Sequence, residues 1–358
     1  MRDVVRVLSI DGGGIRGIIP ARVLVELERI AERPIAELFD IVAGTSTGGL
    51  IALAAAKPDA AGRPAMSAQD ILAVYLQDGE TMFPDLTPRK LVRRVAWQAS
   101  KQHVYQRAGA LVWPGRFGNA RYLAADIEGV LERTLGDTRL SEALVDVVVP
   151  TYDWRAGRAL LFTSYDARAQ PTRDLLMRDV ARGTTAAPTY FPPLQMTLPD
   201  GREVALIDGG VVANNPVSVA YYEALRHETE SPREVDVMSV SLGTGRPPEE
   251  VPTYEELWSR SWLRLGMGML GTVFDGTSEI AEELMRSISA CREPRSRFWR
   301  FQAELHGCSL AMDDATPRNM NALLGLAERM IVDQRAELEE IARVLTAPDP
   351  QPADRLAS

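Results

Sequence analysis

The chain has 358 residues, 46% of them hydrophobic and 25% charged, with a formal net charge of −9. That is enough apolar material for a sizeable core, and the acidic balance argues against a nucleic-acid polymer as partner, which would favour a basic face. Two cysteines, Cys291 and Cys308, make neither a disulfide framework nor a metal quartet, so a reducing cytoplasm and no metal or cofactor are expected.

Val4 to Ile10 (VVRVLSI) is a β-branched apolar run that ends at DGGG, the pattern of a buried strand. Ile18 to Ile30 has helical spacing (Ile19, Val23, Leu24, Leu27, Ile30) and is closed by Pro34. Phe39 to Ala43 predicts a second strand and Leu50 to Ala56 a second helix. This β-α-β-α order implies parallel strands joined by crossovers, hence an open α/β sheet covered by helices. The longest apolar stretch, Ile41 to Ala56, is too short and too broken by glycine and threonine to span about 30 Å of hydrocarbon. With no signal-peptide pattern at the N-terminus, a soluble protein is expected.

Further along, Ala68 to Asp78 reads as a helix, and 84–118 as an insertion rich in loop and helix that carries Arg89, Lys90, Arg93, Arg94, Lys101 and Arg107. Tyr122 to Leu135 is helical, Leu144 to Pro150 and Leu160 to Thr163 are strands, and Leu175 to Arg182 is a helix. Val204 to Ile207 is a strand ending at Asp208-Gly209-Gly210, and Val235 to Leu242 one ending at GTG. From Pro247 the pattern is helical to Leu345, broken near Gly266 to Gly276 and Arg292 to Arg297. The predicted organisation is one α/β domain over 1–345, with 247–345 its helical C-terminal part and 346–358 a flexible tail.

Three glycine-marked strand ends carry chemistry. Ser46 lies in GTSTG between Gly44 and Gly48, the G-x-S-x-G arrangement that places a nucleophile on a sharp strand-to-helix turn. Gly12, Gly13 and Gly14 offer bare N–H groups at a helix start, fit either for a phosphate or for the oxyanion of an attacked carbonyl. Arg16 adds a fixed cation beside them, suited to a phosphate-bearing substrate, to orienting the loop, or to an ordinary surface ion pair. None of the three histidines (His103, His227, His306) follows a strand end as a triad histidine does. Asp208 does follow a strand, so a Ser46–Asp208 dyad with the carboxylate as general base is the reading of the residues. An Asx turn before Gly-Gly is the bland alternative for Asp208.

DGGGIRG, GTSTGG and DGG, in this order, resemble the oxyanion-loop, nucleophile and aspartate motifs of the patatin-like phospholipase family. AAPTYFPP at 186–193, SLGTG at 241–245 and MDDATPRNM at 312–320 also read like bacterial members, so the likeness covers about residues 4 to 345. The resemblance implies a three-layer fold with a mostly parallel central sheet flanked by helices. It implies Ser46 as nucleophile, Asp208 as base, and an oxyanion hole from Gly12, Gly13 and Gly14 supported by Arg16. The implied reaction is hydrolysis of phospholipid acyl esters through an acyl-serine, without metal, by a cytoplasmic enzyme transiently at the membrane. Trp258 to Phe274, with Trp262 and interspersed arginines and glycines, suits an interfacial segment or lid, though core or subunit contact is the commoner meaning of so apolar a helix. A homo-oligomer, a small-nucleotide activator of the kind that would make the protein an antiphage effector, and a non-catalytic lipid-binding role stay open as alternatives.

Overall fold

The computed structural model describes residues 4–84, 120–228, 236–248, 254–255, 262–292 and 296–347, with backbone alone for 227–228 and 262–268. The arginine-bearing insertion beyond Pro84, Trp258, and the tail from 348 lie outside the described residues. Among the described residues eight strands form one sheet: β1 (Val4–Ile10), β2 (Ile41–Gly44), β3 (Asp146–Asp153), β4 (Arg158–Thr163), β5 (Leu194–Thr197), β6 (Glu203–Asp208), β7 (Asp236–Leu242) and β8 (Arg297–Phe301). The helices are α1 (Ile18–Ala31), α2 (Ile35–Leu38), α3 (Thr47–Ala56), α4 (Ala68–Met82), α5 (Ala124–Leu135), α6 (Ser164–Ala169), α7 (Met177–Thr184) and α8 (Gly210–Ala213). They continue with α9 (Val217–Glu228), α10 (Trp262–Arg292), α11 (Pro317–Asp333) and α12 (Arg335–Thr346).

The centre of the sheet is parallel: β1 lies between β2 and β7, β2 reaches β3, and β8 extends the far side beyond β7. Successive residues of each buried strand point to opposite faces, which is why the inner strands read as unbroken apolar runs. Leu8, Ile10, Val42, Val149 and Val240 face the layer of α1, α3, α4, α5, α7, α11 and α12. Val7, Ile41, Ala43, Val148 and Val237 face Ala220 and Ala224 of α9. Helices on both faces of a mixed but centrally parallel sheet make the three-layer α/β architecture that the sequence implied. α3 has no polar face at all: every residue of TGGLIALAAA is buried. Its helicity rests on tertiary packing, since Leu50, Ile51 and Leu53 are each worth about 1.5–3 kcal/mol when taken out of water.

Four features depart from the sequence reading, the unpredicted edge strand β5 being one. The region after Pro247 is not wholly helical, because β8 pairs along β7 from Met238↔Arg297 to Leu242↔Phe301. α10 runs unbroken through Gly266, Gly268, Gly271 and Gly276, where a break was expected. Its Phe274, Ser278, Ala281, Met285 and Ser289 are buried at helical spacing, and that packing outweighs the weak propensity of glycine.

The fourth departure concerns β6, which runs antiparallel to β3. Ala43 and Thr163 both pair with Val148, so β2 and β4 lie on opposite edges of β3. Leu160 and Asp208 both pair with Thr151, so β6 shares the edge used by β2. β2 takes the first part of that edge and β6 the last part. The two strands therefore point at one another end to end, and the end of β6 arrives where the chain has just left β2.

Candidate active site

The chain leaves β2 at Gly44 and enters α3 at Thr47 within two residues. No Cβ fits at either flanking glycine: at Gly44 it would lie 2.0 Å from the Gly48 carbonyl oxygen, and at Gly48 it would lie 2.1 Å from that of Ile10. Ser46 between them is held at φ 55°, ψ −120°, a conformation that side-chain-bearing residues rarely adopt. Long-range hydrogen bonds hold it there. The Ser46 N–H donates to Thr184 Oγ1 at 2.9 Å, and Thr184 Oγ1 donates to the Pro150 carbonyl at 2.7 Å. Thr45 Oγ1 donates to the Ala213 carbonyl at 2.6 Å, and Tyr75 donates to the Thr47 carbonyl at 3.0 Å. The strained serine is thus clamped from β3, α4, α7 and α8.

Asp208 ends β6 opposite this elbow and is wholly buried, at 0% exposure. Its Oδ1 accepts the Gly210 N–H at 2.7 Å, whereas Oδ2 is buried without a partner of hydrogen-bond geometry. Burial pushes the carboxyl up to about 7, against the lowering influence of the Ser46 hydroxyl and the Gly210 N–H. Ser46 is therefore close enough to act on the carboxyl, yet short of a fully formed hydrogen bond. Catalytic hydrogen bonds are often loose in this way before substrate arrives.

The sequence-predicted residues lie near one another, and their hydrogen bonding sets Gly12 apart from Gly13 and Gly14. Gly12 lies in the loop, but its N–H is taken by the Asn214 carbonyl at 3.0 Å, so only Gly13 and Gly14 keep N–H groups without a partner among the described residues. Gly14 has φ 60°, and a Cβ there would meet the Met312 carbonyl oxygen at 2.1 Å; the same carbonyl accepts the Ile15 N–H at 2.9 Å. Arg16 makes no surface ion pair among the described residues. It is 8% exposed, its Nε donates to the Gly13 carbonyl at 3.3 Å, and burial lowers its pKa. His306 is exposed and paired with Glu304, His103 is outside the described residues, and among the described residues no imidazole lines the pocket described next.

Gly13, Gly14, Ser46 and Thr47 form one end of a pocket of about 530 Å³, mouth included. The remaining walls are mostly apolar, with Leu50, Phe83, Ile127, Phe191 and Phe274 among them. Such a cleft, apolar with a few convergent polar groups, suits an aliphatic chain beside a reacting ester.

Sequence reasoning missed several residues that hold this site. Arg300 of β8 meets Asp11 two-pronged, at 2.9 and 2.6 Å, and also donates to Glu282 at 3.1 Å. Burial works against the Arg300 charge, but Asp11 and Glu282 hold its pKa above the ordinary value. Asn215 Oδ1 accepts from Ser9 and Ser241, tying β1 to β7. Thr184, in the turn-rich GTTAAPTYFPP, and Met312, in MDDATPRNM, sat in segments already conspicuous in the sequence. Arg300 carried no local signal.

An open α/β sheet thus brings a strained serine and a buried carboxylate together at one rim. The Patatin-like phospholipase family matches residues 8–221 of this chain. Patatin-like protein 1 of Oryza sativa subsp. indica is 32% identical, over 96% of this chain and 85% of its own length. Patatin group M-3 of Solanum tuberosum is 29% identical, over 92% and 84% respectively. Among solved structures, VipD from Legionella pneumophila aligns with a TM-score of 0.39 at 13% identity, covering 98% of this chain and 72% of its own. The chain belongs to the patatin-like phospholipase family, and so to the lipid acyl hydrolases.

Proposed function

We propose that the protein hydrolyses fatty-acyl esters of membrane phospholipids through an acyl-serine, with Ser46 as nucleophile and Asp208 as general base. The observation that carries this reading is Asp208 Oδ2, buried and without a formed partner beside a serine held in a strained backbone. Ser46 Oγ attacks the ester carbonyl carbon as its proton passes to Asp208 Oδ2. The Gly210 N–H on Oδ1 leaves Oδ2 as the proton-accepting oxygen. A pKa near 7 suits a group that must take a proton and then return it.

Charge developing on the carbonyl oxygen is met by the N–H groups of Gly13 and Gly14 and by the positive end of α3. Arg16 acts on this hole through the Gly13 carbonyl, as a positioning residue. Collapse of the tetrahedral intermediate breaks the ester C–O bond, and the leaving alcohol, a lysophospholipid, takes the proton from Asp208. Water then attacks the acyl-serine, giving its proton to Asp208, and the fatty acid leaves as Ser46 recovers its hydrogen. The acyl chain occupies the apolar pocket throughout.

Transient contact with a membrane is part of this proposal. No helix among the described residues is long and apolar enough to cross a bilayer, while α10 exposes Met269, Val273, Ile280 and Leu284 beside the pocket residue Phe274. Defined phospholipids incubated with the protein, with and without a fluorophosphonate, test the proposal by mass spectrometry of the released lipids. A single fluorophosphonate adduct on Ser46 that stops fatty-acid release is the expected result. Fatty-acid release that continues from fully labelled protein, or from Ser46→Ala, overturns it.

A further inference from the structure

A second cavity lies behind the glycine loop, with about 1540 Å³ of space, mouth included, and chiefly charged and polar walls. It adjoins the apolar pocket through consecutive segments of chain. Gly13 and Gly14 line the pocket while Arg16 lines the cavity, and Phe274 lines the pocket while Asp275 lines the cavity.

Two kinds of group in the cavity make no contact ion pair among the described residues, Arg16 and Asp275 acting on one another only at longer range. Arg16 is more than nine-tenths buried and has no carboxylate within ion-pair distance among the described residues, its one hydrogen bond being from Nε to Gly13. Asp275, Glu279 and Glu283 reach the cavity from successive turns of α10, at i, i+4 and i+8, which puts them on one face of the helix. They too make no ion pair among the described residues. The other charges of the cavity are already matched: Arg300 by Asp11 and Glu282, Arg286 by Glu282, and Arg246 by Glu304. What remains is one buried cation facing a row of three carboxylates.

A buried guanidinium without a contacting anion is costly, and so are like charges set four residues apart along one helix face. A ligand that carries a phosphate next to a cationic amine relieves both at once. Resting on the catalytic reading above, we infer that this cavity receives the headgroup of a zwitterionic phospholipid. Arg16 takes the phosphate, and Asp275 with Glu279 takes the choline or ethanolamine cation. The three carboxylates repel headgroups that bear only negative charge, so discrimination comes from repulsion as well as attraction.

Two arms test this, and they fail independently of the catalytic reading. In the first, Ser46→Ala protein is titrated calorimetrically with glycerophosphocholine and with glycerol phosphate, with no lipid present. Glycerophosphocholine is expected to bind at least about tenfold more tightly, and Asp275→Asn with Glu279→Gln to abolish the difference. Equal affinity, no measurable binding of either compound, or a difference that survives the double substitution overturns the assignment, whether or not the enzyme proves to be a hydrolase.

In the second arm, unsubstituted protein is given phosphatidylcholine, phosphatidylethanolamine and phosphatidylglycerol with identical acyl chains in neutral-detergent micelles. The ratio of zwitterionic to anionic turnover is expected at about tenfold or more, and near one in the double variant. Equal turnover of all three lipids, even with glycerophosphocholine bound in the first arm, overturns the headgroup assignment and leaves a site for the free diester. Both substituted residues are on the surface of α10, so the variants keep the fold.

Discussion

Two aspartates in this molecule are written alike: each follows an apolar strand, each precedes Gly-Gly, and both are closed off from solvent. Asp11 meets the guanidinium of Arg300 on both oxygens, some 289 residues away in the chain. Asp208 has one backbone N–H on Oδ1 and a serine hydroxyl nearby. The first carboxylate is matched by a charge and ties β1 to β8. Burial raises the proton affinity of both carboxyls, but Arg300 works against it at Asp11, whereas Asp208 has no cation beside it among the described residues and keeps one oxygen without a formed partner. The local sequence sets the turn, and the partner delivered by the fold decides whether the acid is held in an ion pair or left for the reactive role proposed for Asp208.

Breaking the reactive member gives the largest effect. Ser46→Ala and Asp208→Asn are each expected to lower kcat/KM for a phospholipid ester by about 10⁴-fold, and the double variant to be hardly worse than either, because the two act as one unit. Additive losses in the double variant would falsify the dyad. Breaking the structural member costs stability instead. Arg300→Met strands the buried Asp11 charge and should lower the unfolding free energy in urea by about 3–5 kcal/mol, part of which returns when Asp11→Asn is added.

The same contrast predicts that Asp208→Asn stabilises the protein it inactivates. A carboxyl raised from 3.8 to about 7 favours folding fully only below its unfolded pKa, and that contribution is lost as pH rises through about 7. The variant should therefore gain stability at pH 8, up to on the order of 4 kcal/mol from a shift of about three units, and the gain should vanish towards pH 4. Denaturation curves at the two pH values check the sign. A smaller gain, about 1–3 kcal/mol, is expected from Ser46→Gly, which removes the nucleophile but also relieves the positive-φ strain.

The gentlest test leaves the chain intact. Since Asp208 must be ionised to accept the serine proton, kcat/KM should rise about tenfold per pH unit up to about 7 and then level off. A profile flat from pH 5 to 8 would assign the proton transfer to another group.

Much of this was legible in advance because its signals are local. Glycines at 44 and 48 around Ser46 mark an elbow, since the strand and helix approach so closely that no side chain fits. The apolar runs of β1, β2, β3 and β7 announce buried strands. Asp208 lies near Ser46 by a different route from the one expected: a carboxyl-terminal strand end was assumed to share the rim of the parallel strands, whereas β6 runs antiparallel and meets β2 head on. β5 and β8 were missed because one is a short edge strand of alternating exposure and the other a charged five-residue strand (RFWRF), neither carrying a run of its own. The loss of Gly12 as a donor was invisible because its partner, the Asn214 carbonyl, lies about two hundred positions on.

The order of residues alone determined which atoms can react and where the backbone must bend, because glycine, β-branched runs and helical spacing act on near neighbours. Only the folded chain decided that β2 and β6 share one edge of β3, that Arg300 neutralises Asp11 and leaves Asp208 bare, and that Arg16 points into a polar cavity. Those outcomes depend on which distant groups are excluded from water together. That is a property of packing, and no short stretch of sequence contains it.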